Sequence, residues 1–260
     1  GHIKLYKREN SKFWQMKIKL PKQKAIRSSS GTKILKEAEK IALNNYSLLN
    51  KENKIKIKKT LNNIFKKMHL VETADLNKKE IEFILDEAQK FISFNKMKIK
   101  KNNLLEGRTI FNLFFEDSTR TRTSFEVAAK RLGADLINVA VKDSSINKGE
   151  TLLDTMTTIN SMNPDVLIIR HPDEGISKKI SMNVDACVIN AGDGSHEHPT
   201  QALLDALTIK NRFKNFNKLL IAICGDILHS RVARSNIIIL SKLGAKINVI
   251  GPKEWLPKNI

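Results

Sequence analysis

Four short apolar runs, at residues 109–115, 165–169, 186–190 and 219–224, each lead through a polar loop into a helical pattern. A chain that alternates strand and helix in this way builds a parallel sheet covered by helices, which makes residues 68–260 an α/β structure. Ligands of such sheets gather at the C-terminal ends of the strands. The residues that follow each run are therefore where function is to be sought.

The first run feeds Glu116-Asp117-Ser118-Thr119-Arg120-Thr121-Arg122-Thr123-Ser124. Phe125, Ala128, Ala129 and Leu132 then recur at helical spacing, with Gly133 as a C-terminal stop. Hydroxyls, backbone N–H groups and a guanidinium converge at that helix N-terminus, where the macrodipole favours an anion. Capping by Ser118, or by the Thr123-x-x-Glu126 pair, needs one hydroxyl and accounts neither for Arg120 nor for the surplus of hydroxyls. A phosphate cradle without a glycine-rich loop is the better reading.

The second run ends on Arg170-His171-Pro172, and an arginine there reads, taken alone, as a surface ion pair. The third is followed by Ala191-Gly192-Asp193-Gly194-Ser195-His196-Glu197-His198-Pro199-Thr200-Gln201. Pro199 suits a first helical turn, which puts His198 at the helix mouth and Gln201 in the turn itself. The fourth leads into Gly225-Asp226-Ile227-Leu228-His229-Ser230-Arg231; no G-x-G-x-x-G follows, so a nicotinamide cofactor is excluded. Arg120, Arg170, His198, Gln201 and Arg231 thus stand at successive strand ends, as a pocket for a small polyanion with a polarisable carbonyl requires. The histidines lack metal-ligand spacing and no nucleophile sits on an elbow motif. Chemistry there would rest on positioning and electrostatics.

Charge divides the chain. Residues 1–67 hold 19 Lys and Arg against 4 acidic residues, whereas the other 193 residues hold 27 against 23. The first segment opens with an alternating strand pattern at 14–20, closed by Pro21 and followed by a turn-rich stretch at 28–32. A helical pattern then places Leu35, Ala38 and Ala42 on one face. A small basic α+β extension is expected, with residues 51–59 as a linker or charged helix. Cys187 and Cys224 each lie in an apolar run without CxxC spacing and read as buried thiols of a reducing compartment. No stretch is long and apolar enough to span a bilayer and no secretory h-region follows the N-terminus, so the expected location is cytoplasmic.

The strand-end elements also carry a family resemblance. The segment from Phe114 to Glu126, Lys148-Gly149-Glu150-Thr151, Arg170-His171-Pro172, Asn190-Ala191-Gly192-Asp193-Gly194 and His198-Pro199-Thr200-Gln201 together resemble the catalytic chains of the aspartate carbamoyltransferase family, in order across residues 68–260. The Ser-Thr-Arg-Thr-Arg element alone fits ornithine carbamoyltransferases equally. The Lys-Gly-Glu loop and the Gly-Asp-Gly segment favour the aspartate enzymes. The resemblance implies transfer of a carbamoyl group from carbamoyl phosphate to the amine of L-aspartate in pyrimidine biosynthesis, without cofactor or metal. It implies a parallel-sheet carbamoyl phosphate domain at 68–200, followed at 201–260 by the start of a second, Rossmann-like α/β domain for aspartate.

By the same resemblance Ser118, Thr119, Arg120 and Thr121 bind the phosphate, with Arg120 stabilising the departing charge. Thr121, Arg170 and His198 polarise the carbonyl, Gln201 holds the carbamoyl NH₂, and Arg231 binds an aspartate carboxylate together with Arg170 and Lys148. Ser144 and Lys148, which the residues alone would leave as a solvated loop, match groups donated to a neighbouring subunit's site. A homotrimer with shared sites is implied, with a regulatory chain or a dihydroorotase-like protein as further partners. The family's other aspartate ligands lie beyond the last residue, Ile260. The expectation is therefore a fragment or a chimaera that binds carbamoyl phosphate, transfers the group poorly and exposes an uncovered apolar face within 205–260. Residues 1–67 resemble the small N-terminal DNA-binding module of tyrosine recombinases, and the competing reading is that module joined to a non-catalytic carbamoyl phosphate domain.

Overall fold

The structure, a computed structural model, describes residues 2–7, 11–13, 15–19, 25–30, 34–43, 68–140 and 151–258. The chain forms two compact units, Gly1–Lys66 and Lys67–Ile260.

The first unit is a three-stranded antiparallel sheet of β1 (His2–Tyr6), β2 (Gln15–Lys19) and β3 (Ile26–Ser29), followed by helix α1 over 35–43. Alternation in β2 turns Met16 and Ile18 inward, each 2% exposed, where they cluster with Ala42 and are flanked by Ile3, Leu5 and Ile41. Two expectations change here. Ser28 and Ser29 belong to a strand and not to a turn, because β2 supplies a paired edge for them. Leu35 stands 45% exposed, so Ala38 and Ala42 carry the buried face of α1 without it. Residues 51–59 lie outside the described residues.

The second unit has an α/β fold. Helix α2 (Lys78–Phe94) precedes β4 (Thr109–Phe114), α3 (Thr119–Leu132), β5 (Asp135–Ala140), α4 (Leu152–Ser161), β6 (Val166–His171), α5 (Ile176–Ser181), β7 (Cys187–Asp193) and α6 (Pro199–Phe213). The four strands are parallel in the order β5-β4-β6-β7. Period-two alternation sends Phe111 and Leu113 of β4 and Leu167 and Ile169 of β6 to one face, against Met156 and Ile159 of α4 and Ile180 of α5. Ile110, Phe114 and Ile168 face the other way, against Ala129 and Phe125 of α3. Apolar residues on consecutive positions are what a strand buried on both faces requires. β4 and β6 stay paired up to Phe114 and Arg170, and because their connections leave in opposite directions a gap opens between the loops beyond their C-terminal ends. That gap is the crevice where ligands of such sheets bind.

A second sheet, the parallel pair β8 (Leu220–Cys224) and β9 (Lys246–Ile250), flanks α7 (Arg231–Leu243). Its side chains alternate between exposed and half-buried; Leu220 is 66% and Ile250 54% exposed. Cys224 falls on the exposed phase and Cys187 is only partly buried, so neither is the fully buried thiol expected. Burial raises the Cys187 thiol pKa all the same.

The phosphate-loop helix begins earlier than its apolar spacing indicates. α3 starts at Thr119, with Ser118 as its N-terminal boundary residue, and ends at Gly133 with a left-handed φ of 86°. Thr123 therefore lies within the helix and cannot cap it, and Glu126 instead accepts from Lys130 and Asn138. Strand β5, too polar on its exposed side to stand out as an apolar run, completes the sheet.

Candidate active site

The N-terminus of α3 faces the crevice. Ser118 makes no side-chain capping bond, and the first helical hydrogen bond is from Arg122 N–H to the Ser118 carbonyl. The N–H groups before Arg122 thus have no partner within the helix, which together with the macrodipole makes a seat for an anion. Ser118, Arg120 and Thr121 line a cavity of about 680 Å³ that also takes in Arg170, His198, Gln201 and Arg231. Phe125, Ala128, Leu204 and Val232 give it an apolar wall. Arg120 is exposed and in no ion pair among the described residues. Thr119 lines an adjoining cavity of about 760 Å³ beside Phe91 and Phe94, and its backbone N–H is among those of the anion seat.

Arg170 ends β6 and Arg231 begins α7, and a carboxylate ties them together. Glu116 Oε1 lies 2.6 Å from Arg170 Nε, an ion pair whose N–H points off the line to the oxygen, and accepts from Arg231 Nη2 at 2.6 Å. Arg170 also donates to the Ala191 carbonyl and Arg231 to the Gly194 carbonyl. Burial, and then the neighbouring Arg231, depress the Arg170 pKa, against the pull of Glu116. Glycine at position 192 leaves room for both guanidiniums. Its φ is 118°, and a Cβ there would sit 3.2 Å from Arg231 Cζ and 3.3 Å from Arg170 Nη1.

His198 is 6% exposed. Its pKa falls to about 4 through burial first, then repulsion by Arg170 and Arg231. The ring is neutral at physiological pH. Thr200 Oγ1 lies 3.4 Å from its Nδ1; a proton donated to Nδ1 leaves the other nitrogen protonated, a hydrogen-bond donor without charge. Gln201 donates from Nε2 to Asp205, which leaves its Oε1 as an acceptor.

Behind His198 is a buried polar network. The Glu197 carboxylate, 3% exposed, accepts from Thr73 Oγ1 at 2.7 Å, from Thr73 N–H at 3.3 Å and from Ser235 Oγ at 2.5 Å. Ser235 in turn accepts the His198 backbone N–H at 2.9 Å. Asp193, 2% exposed, accepts from Asn190, Gly175 and Glu197 N–H and fixes the loop in front of α6. Neither Glu116 nor this network was assigned a role from the sequence. A signal for Glu116 existed, since two arginines at neighbouring strand ends call for a counter-charge. Glu197 gave none, because its partners Thr73 and Ser235 are distant in sequence. Ser144 and Lys148 lie outside the described residues.

Residues 68–211 match the profile of the aspartate/ornithine carbamoyltransferase carbamoyl-P binding domain. The chain is 56% identical over 192 residues to the aspartate carbamoyltransferase catalytic subunit of Pelagibacter ubique, covering 74% of this chain and 61% of that protein. It is 54% identical over 201 residues to that of Bartonella henselae, covering 77% and 63%. It thus spans about three fifths of the length of the curated relatives it matches. Among solved structures it is similar to Trypanosoma cruzi aspartate transcarbamoylase in complex with carbamoyl aspartate and phosphate, with a TM-score of 0.68, 35% identity and coverage of 74% and 63%. The catalytic subunit of M. Jannaschii aspartate transcarbamoylase gives a TM-score of 0.67 at 41% identity, with the same coverage. The recombinase resemblance of residues 1–67 finds no support in these comparisons, whose family match begins at residue 68. A family profile matched over more than half the chain, on the stretch that builds the crevice and its anion seat, places this protein in the aspartate/ornithine carbamoyltransferase family.

Proposed function

We propose that this chain transfers the carbamoyl group of carbamoyl phosphate to the amine of L-aspartate, giving N-carbamoyl-L-aspartate and phosphate in pyrimidine biosynthesis. The observation that carries this reading is the convergence of Ser118, Arg120, Thr121, Arg170, His198, Gln201 and Arg231 on one cavity at the strand ends. The ligands of the Trypanosoma cruzi structure, carbamoyl aspartate and phosphate, are the two products of that reaction.

In this mechanism the aspartate amine attacks the carbamoyl carbon and the carbonyl electrons move onto oxygen. They return as the carbon–oxygen bond to phosphate breaks, and the amine proton leaves with the phosphate. Charge therefore builds at two places. The carbonyl oxygen is met by Thr121, Arg170 and the neutral His198, and preorganised donors of this kind lower the barrier because they need not reorient as charge develops. The phosphate is met by Ser118, the Thr119 backbone, Arg120 and Thr121. Gln201 Oε1 accepts from the carbamoyl NH₂, and Arg231, with Arg170 and Lys148, takes aspartate carboxylate. No cofactor or metal enters the scheme.

The same reading makes residues 68–200 the carbamoyl phosphate domain and 201–260 part of the aspartate domain. It makes the working assembly a homotrimer in which Ser144 and Lys148 complete a neighbour's site, in the cytoplasm and alongside a regulatory or dihydroorotase-like partner. Among the described residues no helix is long and apolar enough to cross a membrane.

The test is calorimetry with carbamoyl phosphate together with an assay for carbamoyl aspartate. Arg120→Ala should cost roughly 3 kcal/mol of transition-state stabilisation, on the order of a hundredfold or more in rate, in a folded protein. A folded parent chain that binds no carbamoyl phosphate, or an Arg120→Ala rate within tenfold of the parent, refutes the assignment.

A further inference from the structure

The substrate contacts account for Gln201 but not for the residues that hold it. One turn further along α6, Asp205 stands on the same helix face, and Gln201 Nε2 donates to its Oδ1 at 3.0 Å. The second carboxylate oxygen is taken from another helix: Asn236 of α7 donates from Nδ2 to Asp205 Oδ2 at 2.7 Å. Asp205 is half-buried and does not border the cavity, whereas Gln201 does. An ionised carboxylate accepts hydrogen bonds and donates none, so the atom of Gln201 that faces Asp205 is the amide nitrogen. Turning the amide over would set Oε1 against the carboxylate, oxygen facing oxygen, which no hydrogen bond can bridge. Asn236 holds Asp205 in place one turn beyond Val232, itself part of the cavity wall.

We infer that Asp205, anchored by Asn236, is a positioning residue that makes this site selective for acyl phosphates whose acyl group carries an NH₂. The inference rests on the carbamoyl-transfer reading and adds to it a source of selectivity between substrates of one size. Carbamoyl phosphate and acetyl phosphate share the phosphate and the carbonyl and differ in NH₂ against CH₃. The anion seat and the donors at the carbonyl treat both alike, and an acceptor is what tells them apart. A glutamine free to turn would offer the acyl group either an oxygen or an NH₂, and the latter meets a carbamoyl NH₂ donor to donor. Locking the amide removes that orientation before the substrate arrives. A site built around one acceptor then rejects an analogue that leaves the acceptor unpaired. A plain tie between α6 and α7 would act differently, since its loss would weaken every ligand of the cavity together.

Calorimetry of the full chain with carbamoyl phosphate, acetyl phosphate and inorganic phosphate is the test. The parent should prefer carbamoyl to acetyl phosphate by about tenfold, the effect of one hydrogen bond made or left unmade. Asp205→Ala should lower that preference to about threefold or less, with inorganic phosphate bound within about twofold of the parent. Asp205→Asn should retain most of the preference. Its amide still offers an oxygen to Gln201, while Asn236, whose Oδ1 has no partner among the described residues, can turn to accept from the new NH₂. Placed on Gln201→Ala, Asp205→Ala should change the preference no further, since a residue acting through Gln201 then has nothing to position. If Asp205→Ala does not fold, Asn236→Ala, which frees one side of the carboxylate, carries the same comparison with an expected fall of about threefold. The inference is overturned if the folded variant keeps the parent's preference, if all three ligands weaken by the same factor, or if Asp205→Ala still lowers the preference without Gln201. A parent that binds carbamoyl phosphate no better than acetyl phosphate overturns it and leaves carbamoyl transfer standing. A folded parent that binds no carbamoyl phosphate refutes both.

Discussion

His198 should make this protein acid-labile in a window that its burial defines. In the unfolded chain the imidazole titrates near its ordinary 6.5, and in the folded chain near about 4. Between those values the unfolded state holds a proton that the native state refuses, so stability falls as pH drops through the window. Above 6.5 this group contributes no slope, and below about 4 the loss is complete. At about 1.4 kcal/mol per pH unit the full effect is about 3 kcal/mol, of which roughly 2 should be gone by about pH 5. The assay is urea unfolding of the parent and of His198→Gln between about pH 7 and pH 5. His69 and His171, whose pKa values burial also lowers, contribute equally to both proteins and cancel in the difference. The parent should lose about 2 kcal/mol more than the variant across that range. Parallel stability curves would show that the native ring accepts a proton at its ordinary pH and would remove the basis for a neutral donor at the carbonyl.

Two further perturbations probe the packing around the arginines and behind His198. Gly192→Ala, which sets a Cβ against both Arg170 and Arg231 at a left-handed φ, should destabilise by about 1–3 kcal/mol. It should also weaken carbamoyl phosphate binding by about tenfold, one part in that range going to the displaced guanidiniums; unchanged affinity by calorimetry would mean that the arginines need not hold this arrangement. Glu197→Ala strands the Thr73 hydroxyl and N–H and the Ser235 hydroxyl without their acceptor and should cost about 3–5 kcal/mol in chemical denaturation. A loss below about 1 kcal/mol would place Glu197 at the surface rather than in a buried network.

The parallel α/β class was legible because β4 and β6 are apolar on successive residues, a pattern that only strands covered on both faces sustain. Arg170, His198, Gln201 and Arg231 were legible for a related reason: strand-to-helix junctions are where such folds bind ligands, and each residue stands at one. The start of α3 was not legible from apolar spacing. Thr119 to Ser124 form helix over polar residues because the site needs them there, and hydrophobic periodicity is silent where a helix end faces a ligand. Cys224 misled because an apolar run says nothing about which alternate positions a two-stranded sheet leaves exposed.

Glu116 explains how a site this basic can fold without its ligand. Arg120, Arg170 and Arg231 border one cavity, and Glu116 contacts the last two of them. Without that carboxylate, two partly buried guanidiniums would face each other beside Gly192 with no counter-charge between them. With it the pair is held at fixed positions, yet three positive charges still meet only one negative charge. A neutral His198 matters to the same balance, because a fourth cation would add repulsion at the least solvated point of the cavity. The excess that remains, two positive charges, equals the charge of a phosphate dianion. Arg120, the exposed member of the three, is the one with no ion pair among the described residues, so it can meet an incoming anion without first breaking an existing pair. Selectivity for an anion thus comes from leaving one guanidinium unpaired at the mouth while a carboxylate spends its charge on the two within.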